Sequence, residues 1–204
     1  MVFYTLGWVM KVEGACMLLP CVIAGIYRET QGVVYLICAL CCMIVGSLMT
    51  FKRPNDDQVY TKEGLISAAG SWLVLSFLGA IPFVATGEFG HYVDALFEIA
   101  SGFTTTGASI RGNVENLCHA TLFWRSFSHW IGGMGVLVFI LMLVPVRSGS
   151  RMNLMRAESP GYDVTKIVPQ VRGTAEILYR IYMTLTLVQI IILLITGMPW
   201  FDAV

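Results

Sequence analysis

Long apolar runs separated by shorter polar stretches dominate the chain. Five of these runs have about the length of a membrane-spanning helix: residues 7–27, 33–51, 64–86, 118–144 and 174–196. A helix needs roughly 20 apolar residues to cross the hydrocarbon layer of a bilayer. The pattern therefore predicts five spans, with kinks where Pro20 and Pro82 interrupt the first and the third.

A sixth apolar segment, residues 92–103, is too short to span a bilayer and leads directly into Thr-Thr-Thr-Gly at residues 104–107. A surface loop rich in Thr and Gly would explain the tetrapeptide alone. The apolar segment before the tetrapeptide instead favours a re-entrant segment, because non-helical backbone at membrane depth must line a path or be buried in protein. We predict a short helix over about residues 94–103, whose negative end favours a cation. Extended backbone with inward-facing carbonyls should follow it, with torsional freedom at Gly107.

The composition indicates an integral membrane protein, since 56% of residues are hydrophobic and only 13% are charged. Equal numbers of acidic and basic residues argue against a nucleic-acid partner. Cys38, Cys41 and Cys42 form no zinc-type pattern, and the cysteines indicate apolar packing rather than a disulfide framework. The sequence contains no nucleophile–base pair, His-Glu metal motif or phosphate-binding loop, so we assign no catalytic residue and expect no enzyme.

The distribution of basic residues predicts the orientation. The loops at residues 52–63 and 145–173 hold eight Lys or Arg, whereas the opposite loops hold only Arg28 and Arg111. Basic loops stay in the cytoplasm, so the N-terminus should lie inside and the short segment should enter from outside. Four acidic residues flank that entry: Glu88, Asp94, Glu98 and Glu115. They either attract cations or belong to an ordinary solvated outer loop.

Ionisable residues within apolar runs are candidates for function. Arg125 and His129 lie one turn apart in the fourth run. Arg125 takes a direct part in ion passage, reaches outward to the interface or braces the short helix through Glu98, and bracing is favoured over a direct part. His129 is interpreted as a packing residue. Lys11 and Glu13 near the start of the first run are expected to extend to the interface.

Three motifs carry a family resemblance: Ser-Gly-Phe-Thr-Thr-Thr-Gly-Ala-Ser at 101–109, Phe-Trp-Arg-Ser-Phe-Ser-His-Trp-Ile-Gly-Gly-Met-Gly at 123–135, and Leu-Met-Arg-Ala-Glu-Ser-Pro-Gly at 154–161. The glycines of the second motif either form a helix-packing surface or mark a place where the helix deforms. With these motifs the chain resembles the membrane subunit of the Trk/Ktr/HKT superfamily of potassium transporters, most closely the TrkH and TrkG type. Members of that family arrange four helix–pore-loop–helix repeats around one ion path, after two extra helices.

The resemblance implies an all-α integral membrane fold with an N-terminal helical hairpin, one helix–pore-loop–helix repeat and the start of a second. The corresponding divisions are a hairpin at 1–51, a cytoplasmic loop at 52–63, the first repeat at 64–145, a cytoplasmic loop at 146–173 and the first helix of an incomplete second repeat at 174–204. One filter strand cannot enclose an ion. We therefore expect the N-terminal part of a potassium uptake transporter, with a non-conducting scaffold or assembly fragment as the alternative.

By the same resemblance, Thr105, Thr106 and Gly107 are the potassium ligands of the first filter strand, and Thr104 and Ala108 flank them. Glu98 and Arg125 would support the pore. No covalent cofactor is expected, and potassium is the transported ion. Flow through a channel and coupling to protons or sodium both remain open.

The expected partners are the remaining repeats, a second copy of the complete protein and the lipid bilayer. The basic segment at 147–172 would dock a peripheral nucleotide-binding regulatory subunit or serve only as an orientation signal. The expected location is the bacterial inner membrane, with several spans and a cytoplasmic N-terminus.

Overall fold

The computed structural model describes residues 2–51, 61–135 and 171–203. All regular secondary structure within these ranges is helical. The helices are α1 Val2–Cys16, α2 Leu18–Tyr27, α3 Gly32–Thr50, α4 Thr61–Gly79, α5 Ile81–Ala85, α6 Tyr92–Phe103, α7 His119–Gly133, α8 Val171–Ile195 and α9 Trp200–Ala203. The prediction of an all-helical fold is confirmed for the described residues.

Four helical stretches are long and apolar enough to cross a membrane: Val2–Tyr27, Gly32–Thr50, Lys62–Ala85 and Glu176–Ile195. They correspond to four of the five predicted spans. The fifth predicted span, residues 118–144, is described only as far as residue 135. Helix α7 stops at Gly133, where the Gly135 N–H bonds the Gly132 carbonyl and Gly135 adopts a φ of 74°. Residues 136–144 lie outside the described part of the chain.

Both predicted proline kinks are present, and each helix break precedes its proline. The break between α1 and α2 falls at Met17, and the break between α4 and α5 falls at Ala80. Proline has no N–H for the carbonyl four residues earlier, and its ring crowds that carbonyl. The irregularity therefore appears in the turn before Pro20 or Pro82 rather than at the proline itself.

Helices α1 and α3 form an antiparallel hairpin in which the two backbones nearly touch. A methyl group on Gly14 would lie 2.7 Å from the Ala39 carbonyl oxygen, and one on Gly7 would lie 2.8 Å from Cβ of Met49. Small residues permit such close packing between membrane helices. Glycine spacing along α1 thus fixes where α3 lies.

Helix α4 uses one stripe of residues to pack against α1 and α6. The buried members recur at helical spacing: Gly64, Ser67, Ser71, Leu75 and Gly79. The Ser71 hydroxyl donates to the Ser67 carbonyl at 2.6 Å, which satisfies a polar group inside the helix pair. Ala68, next to this stripe, is only half-buried.

The short helix α6 lies between the helices that flank it. Its residues Ala95, Ile99 and Phe103 are fully buried against α4, α5 and α7. Trp124 of α7 is also fully buried, and its Nε1–H donates to the Gly79 carbonyl at 3.1 Å. The predicted short helix is therefore present, and one of its faces and its last turn are buried against the neighbouring helices.

Glu13 departs from its expected place at the interface. Its side chain is 1% exposed, and neither carboxylate oxygen has a hydrogen-bond partner within the described residues. Oε1 lies against Gly79, at the break between α4 and α5, where a methyl group would be 3.2 Å away. The expectation that Glu13 extends to the interface is wrong because α1 turns this face toward α4, not toward the lipid.

Candidate ion-pore loop

The chain leaves α6 through an exposed loop. Residues 104–110 are all exposed, whereas the last turn of α6 before them is buried. The carbonyls of residues 104–107 accept no hydrogen bond within the described part of the chain. Four consecutive unpaired carbonyls at the negative end of a helix form a set of oxygens suited to a cation.

The turn out of α6 is a Schellman motif with threonine at the left-handed position. The Thr106 N–H donates to the Ser101 carbonyl at 2.9 Å, and the Thr105 N–H donates to the Gly102 carbonyl at 2.9 Å. Thr105 has a φ of 55°, which is strained for a β-branched residue and is normally left to glycine. The predicted freedom at Gly107 is present, with a φ of 75°, whereas no sequence pattern indicated the positive φ of Thr105.

Ser101 bonds the loop at a second point. Its hydroxyl donates to the Ala108 carbonyl at 2.7 Å, and its own carbonyl also receives the Gly107 N–H at 3.5 Å. The Ala108 oxygen is therefore occupied, unlike the four carbonyls before it. Sequence reasoning did not select Ser101, and its only visible signal is a small polar residue in a buried apolar helix.

The three threonine hydroxyls differ in their contacts. Thr104 Oγ1 donates to the Ala100 carbonyl at 2.7 Å and lies 2.8 Å from Thr106 Oγ1. The Thr105 hydroxyl makes no hydrogen bond within the described residues. The predicted residues Thr104, Thr105, Thr106, Gly107 and Ala108 thus lie in one loop. Some of their oxygens already take part in hydrogen bonds, namely the Thr104 and Thr106 hydroxyls and the Ala108 carbonyl.

Glu98 connects three parts of the site. Its Oε1 lies 2.5 Å from Nε of Arg125 in α7. Its Oε2 accepts the Ser109 hydroxyl at 3.0 Å and the Ile110 N–H at 3.1 Å. The Glu98 side chain is fully buried and that of Arg125 is 14% exposed, so the pair lies away from bulk water. The contact between Arg125 and Glu98 is present. The structure also shows that Glu98 bonds Ser109 and Ile110, in the chain that follows the loop at 104–107.

Helices α6 and α7 pack closely where glycines bring the two backbones together. A methyl group on Gly132 would collide with the Phe103 carbonyl, and one on Gly102 would collide with the Ser128 hydroxyl. A methyl group on Gly133 would likewise lie too close to the Tyr182 hydroxyl of α8, at 2.6 Å. Gly132 and Gly133 therefore belong to a packing surface, while the helix also ends beside them.

His129 and two of the acidic residues near the entry have local structural partners. Nδ1 of His129 lies 3.0 Å from the Arg125 carbonyl, which fits the packing role. Glu88 accepts the Cys118 N–H at 2.7 Å, and Glu98 pairs with Arg125. Asp94 lies in the first turn of α6, where its charge suits the positive helix end.

Glu29 caps the N-terminus of α7 from the turn between α2 and α3. Its Oε1 accepts the His119 N–H at 2.8 Å and lies 2.8 Å from His119 Nδ1, while Oε2 accepts the Ala120 N–H at 3.1 Å. Burial raises the pKa of the Glu29 carboxyl, but the hydrogen bonds from His119 and Ala120 outweigh it and lower the pKa below its ordinary value. The His119 ring also stacks on Tyr27 at 3.7 Å between centroids. Sequence reasoning missed this capping contact between the hairpin and α7.

Two elements named from the sequence fall outside the described residues. They are the motif at 154–161 and nearly all of the basic segment at 147–172. The loop at 52–63 is described only from residue 61. The expected docking of a regulatory subunit therefore stays a prediction.

Comparison with known proteins agrees with this geometry. The family described as "TrkH: Cation transport protein" matches residues 31–201. The Trk system potassium uptake protein TrkH of Salmonella typhimurium is 34% identical over 201 residues, and an uncharacterized cation transporter of Methanocaldococcus jannaschii is 33% identical over 202 residues. The crystal structure of the potassium transporter TrkH from Vibrio parahaemolyticus superposes with a TM-score of 0.79 at 28% identity.

The matches cover nearly the whole chain but only part of each relative. Alignment includes 97% of the chain for the Salmonella protein and 99% for the other two. The chain spans 42% of the length of both sequence relatives and 40% of the Vibrio structure. The resemblance inferred from the motifs at 101–109 and 123–135 is confirmed, and the chain belongs to the TrkH family of cation transport proteins.

Proposed function

We propose that this chain supplies the first of four filter strands in a monovalent-cation transporter, and that the transported ion is potassium. The observation that carries the proposal is the loop at 104–107, with four unpaired carbonyls at the buried negative end of α6. Curated relatives named as potassium uptake proteins support the choice of ion. One strand leaves an ion open to other oxygens on its remaining sides, so the other repeats complete the site.

Within this loop, Thr105, Thr106 and Gly107 are the proposed potassium ligands. Thr104 and Ala108 flank them. Oxygen ligands suit a hard cation that must bind and leave quickly. Glu98 and Arg125 support the loop through the buried contacts to Ser109 and Ile110.

The proposed organisation is a hairpin at 1–51, a first helix–pore-loop–helix repeat at 64–145, and the first helix of a second repeat at 174–204. The loops at 52–63 and 146–173 face the cytoplasm with the N-terminus, in the bacterial inner membrane. The remaining repeats, a second copy of the complete protein and a peripheral nucleotide-binding subunit are the proposed partners.

Proposed transport needs no catalytic residue or covalent cofactor. An inward monovalent cation gains about 2.3 kcal/mol at a potential of 100 mV. The requirement is therefore a selective path, which the loop at 104–107 helps to form.

Rubidium uptake into liposomes tests this function. The chain alone should conduct nothing, whereas the chain assembled with the remaining repeats of Salmonella TrkH should take up rubidium and be inhibited by potassium. Gly107→Ala in the assembly should reduce uptake about tenfold, because its φ of 75° costs roughly 1–2 kcal/mol for any residue with a side chain.

Gly112→Ala is the matched control. Gly112 is also an exposed loop glycine with open space around it, and it has no positive φ. Its alanine variant should transport normally. An assembly that folds and inserts but takes up no cation would favour the alternative, a non-conducting scaffold.

A further inference from the structure

Ser101 contacts both sides of the turn at residues 104–107. It lies in the last turn of α6 with 6% of its surface exposed. Its backbone oxygen receives the Thr106 and Gly107 N–H groups at 2.9 and 3.5 Å, and its hydroxyl donates to the Ala108 carbonyl at 2.7 Å. The chain therefore leaves Ser101, forms the turn and returns to the same residue.

The direction of the Ser101 hydroxyl is unusual for a helix. Serine in a helix commonly donates to the carbonyl three or four residues earlier. Ser71 and Ser128 do so, bonding the carbonyls of Ser67 and Arg125 at 2.6 Å. Ser101 instead donates seven residues forward, into the loop.

This bond separates the loop carbonyls into two groups. Ala108 O is turned back onto α6, whereas the carbonyls of 104–107 accept no hydrogen bond within the described residues. The segment between the two Ser101 contacts also contains Thr105 at a φ of 55°. A strained residue persists only where its surroundings hold it, and Ser101 provides bonds on both sides of it.

We propose that Ser101 is a positioning residue of the filter strand, whose hydroxyl fixes the Ala108 carbonyl and makes Gly107 the last carbonyl available to the ion. This inference rests on the proposed function and adds the residue that sets the end of the ligand set. Ser101 does not touch the ion and acts through Ala108. The consequence is that its hydroxyl governs ion discrimination more than folding.

Amide hydrogen exchange on the purified chain tests the positioning without relying on transport. Ser101→Ala retains the backbone carbonyl but removes the bond to Ala108. Exchange at Thr106 and Gly107 should become about 3- to 10-fold faster, the range that one net hydrogen bond supports. Ser71→Ala removes an equally buried hydroxyl in α4 and should leave these amides unchanged. Equal exchange in the two variants would overturn the proposal.

Selectivity of the assembled transporter tests the consequence. Ser101→Ala should lower the ratio of rubidium to sodium uptake by about 3- to 10-fold, with thermal stability close to that of Ser71→Ala. Ser101→Thr keeps the hydroxyl and should restore much of the ratio. An unchanged ratio in Ser101→Ala refutes the role in ion discrimination. If the unmodified assembly conducts no cation, the proposed function fails, while hydrogen exchange still decides whether Ser101 positions the loop.

Discussion

Two glutamates that are buried to the same degree differ in whether their charge is compensated. Glu98 is fully buried and bonds Arg125, Ser109 and Ile110. Glu13 is 1% exposed and has no hydrogen-bond partner within the described residues. A buried polar group without a partner costs free energy, whereas removing one member of a buried ion pair leaves the other charge uncompensated.

Substitution of each glutamate by methionine should therefore have opposite effects. Glu13→Met should raise the free energy of unfolding by about 1–3 kcal/mol, because it removes an unpaired polar group without leaving a cavity. Glu98→Met should lower it by about 3–5 kcal/mol, because Arg125 loses its partner. Thermal unfolding of the purified variants in detergent measures both. Destabilisation of similar size in the two variants would contradict this account.

At the residue scale, the sequence predicted contacts whose chemistry is visible in the residue types. A contact of Arg125 with Glu98 was one of the alternatives, because ionisable residues inside apolar segments stand out in the sequence. The environment of Glu13 and the bonds of Ser101 were missed. Which side of α1 faces α4, and where the loop returns to α6, depend on tertiary packing that a single residue type does not reveal.

At the scale of single helices, α7 is held at its N-terminus by side chains from distant segments. Cys118 occupies the N-cap position but makes no side-chain cap bond. Glu29 instead bonds the N–H groups of His119 and Ala120, and Glu88 bonds the N–H of Cys118. These carboxylates satisfy helix-end donors and also suit the positive end of the helix dipole. The hairpin is thereby attached to the first repeat.

Glu29→Gln should destabilise the chain by about 0.5–2 kcal/mol at neutral pH, as loss of a helix cap does. The pKa of Glu29 is lowered in the folded state, so its contribution is present above the unfolded Glu pKa of about 4.3. That contribution is lost as the pH falls through the lower folded value. Thermal unfolding should show a smaller loss of stability in this pH window for the variant than for the unmodified chain.

Glu115→Gln is the control for the cap, since Glu115 is an exposed carboxylate in the loop before α7. It should leave both the stability and its pH dependence unchanged. If Glu115→Gln flattens the pH dependence as much as Glu29→Gln does, the effect reflects general outer-face charge rather than the cap.

Glycine contacts decide how closely α6 and α7 pack. Gly132→Ala should cost about 2–3 kcal/mol, because its methyl group meets the Phe103 carbonyl, which cannot rotate away. Gly25→Ala, in α2 with open space around it, should instead stabilise by about 0.5–1 kcal/mol through helix propensity. Chemical or thermal unfolding of both variants measures this difference. Equal changes in the free energy of unfolding would show that the structure around Gly132 accommodates a methyl group at little cost.

Helix positions were predicted more reliably than helix ends. Proline marked both breaks to within three residues, because the missing N–H acts on the turn before it. The early end of α7 at Gly133 was not predicted, since apolar residues continue to 144 and periodicity does not show where a helix stops. The short helix α6 was predicted from its length and from the threonines that follow it.

At the scale of the whole molecule, the sequence predicted the family and four membrane-length helices, because both depend on long segments. The three motifs and the apolar runs support both predictions, although the environment of Glu13 was missed. Orientation is a separate matter, since it depends on the distribution of Lys and Arg among the loops.

Alkaline phosphatase fusions test the proposed orientation. A fusion at Gly112, in the loop after α6, should be active because the enzyme reaches the outer face. A fusion at Asn55, in the basic loop after α3, should be inactive. The reverse activities would place the N-terminus outside and would make the loop at 104–107 enter from the cytoplasm.

The direct backbone contact between Phe103 and Gly132 also bears on how a movement of α7 reaches α6. At this contact the Phe103 backbone lies directly against Gly132, with no side chain between them to absorb a displacement. We therefore expect a sideways shift or rotation of α7 at this level to move the threonine loop as well. A change of chain direction that spares the loop therefore has to take place after α7 ends at Gly133.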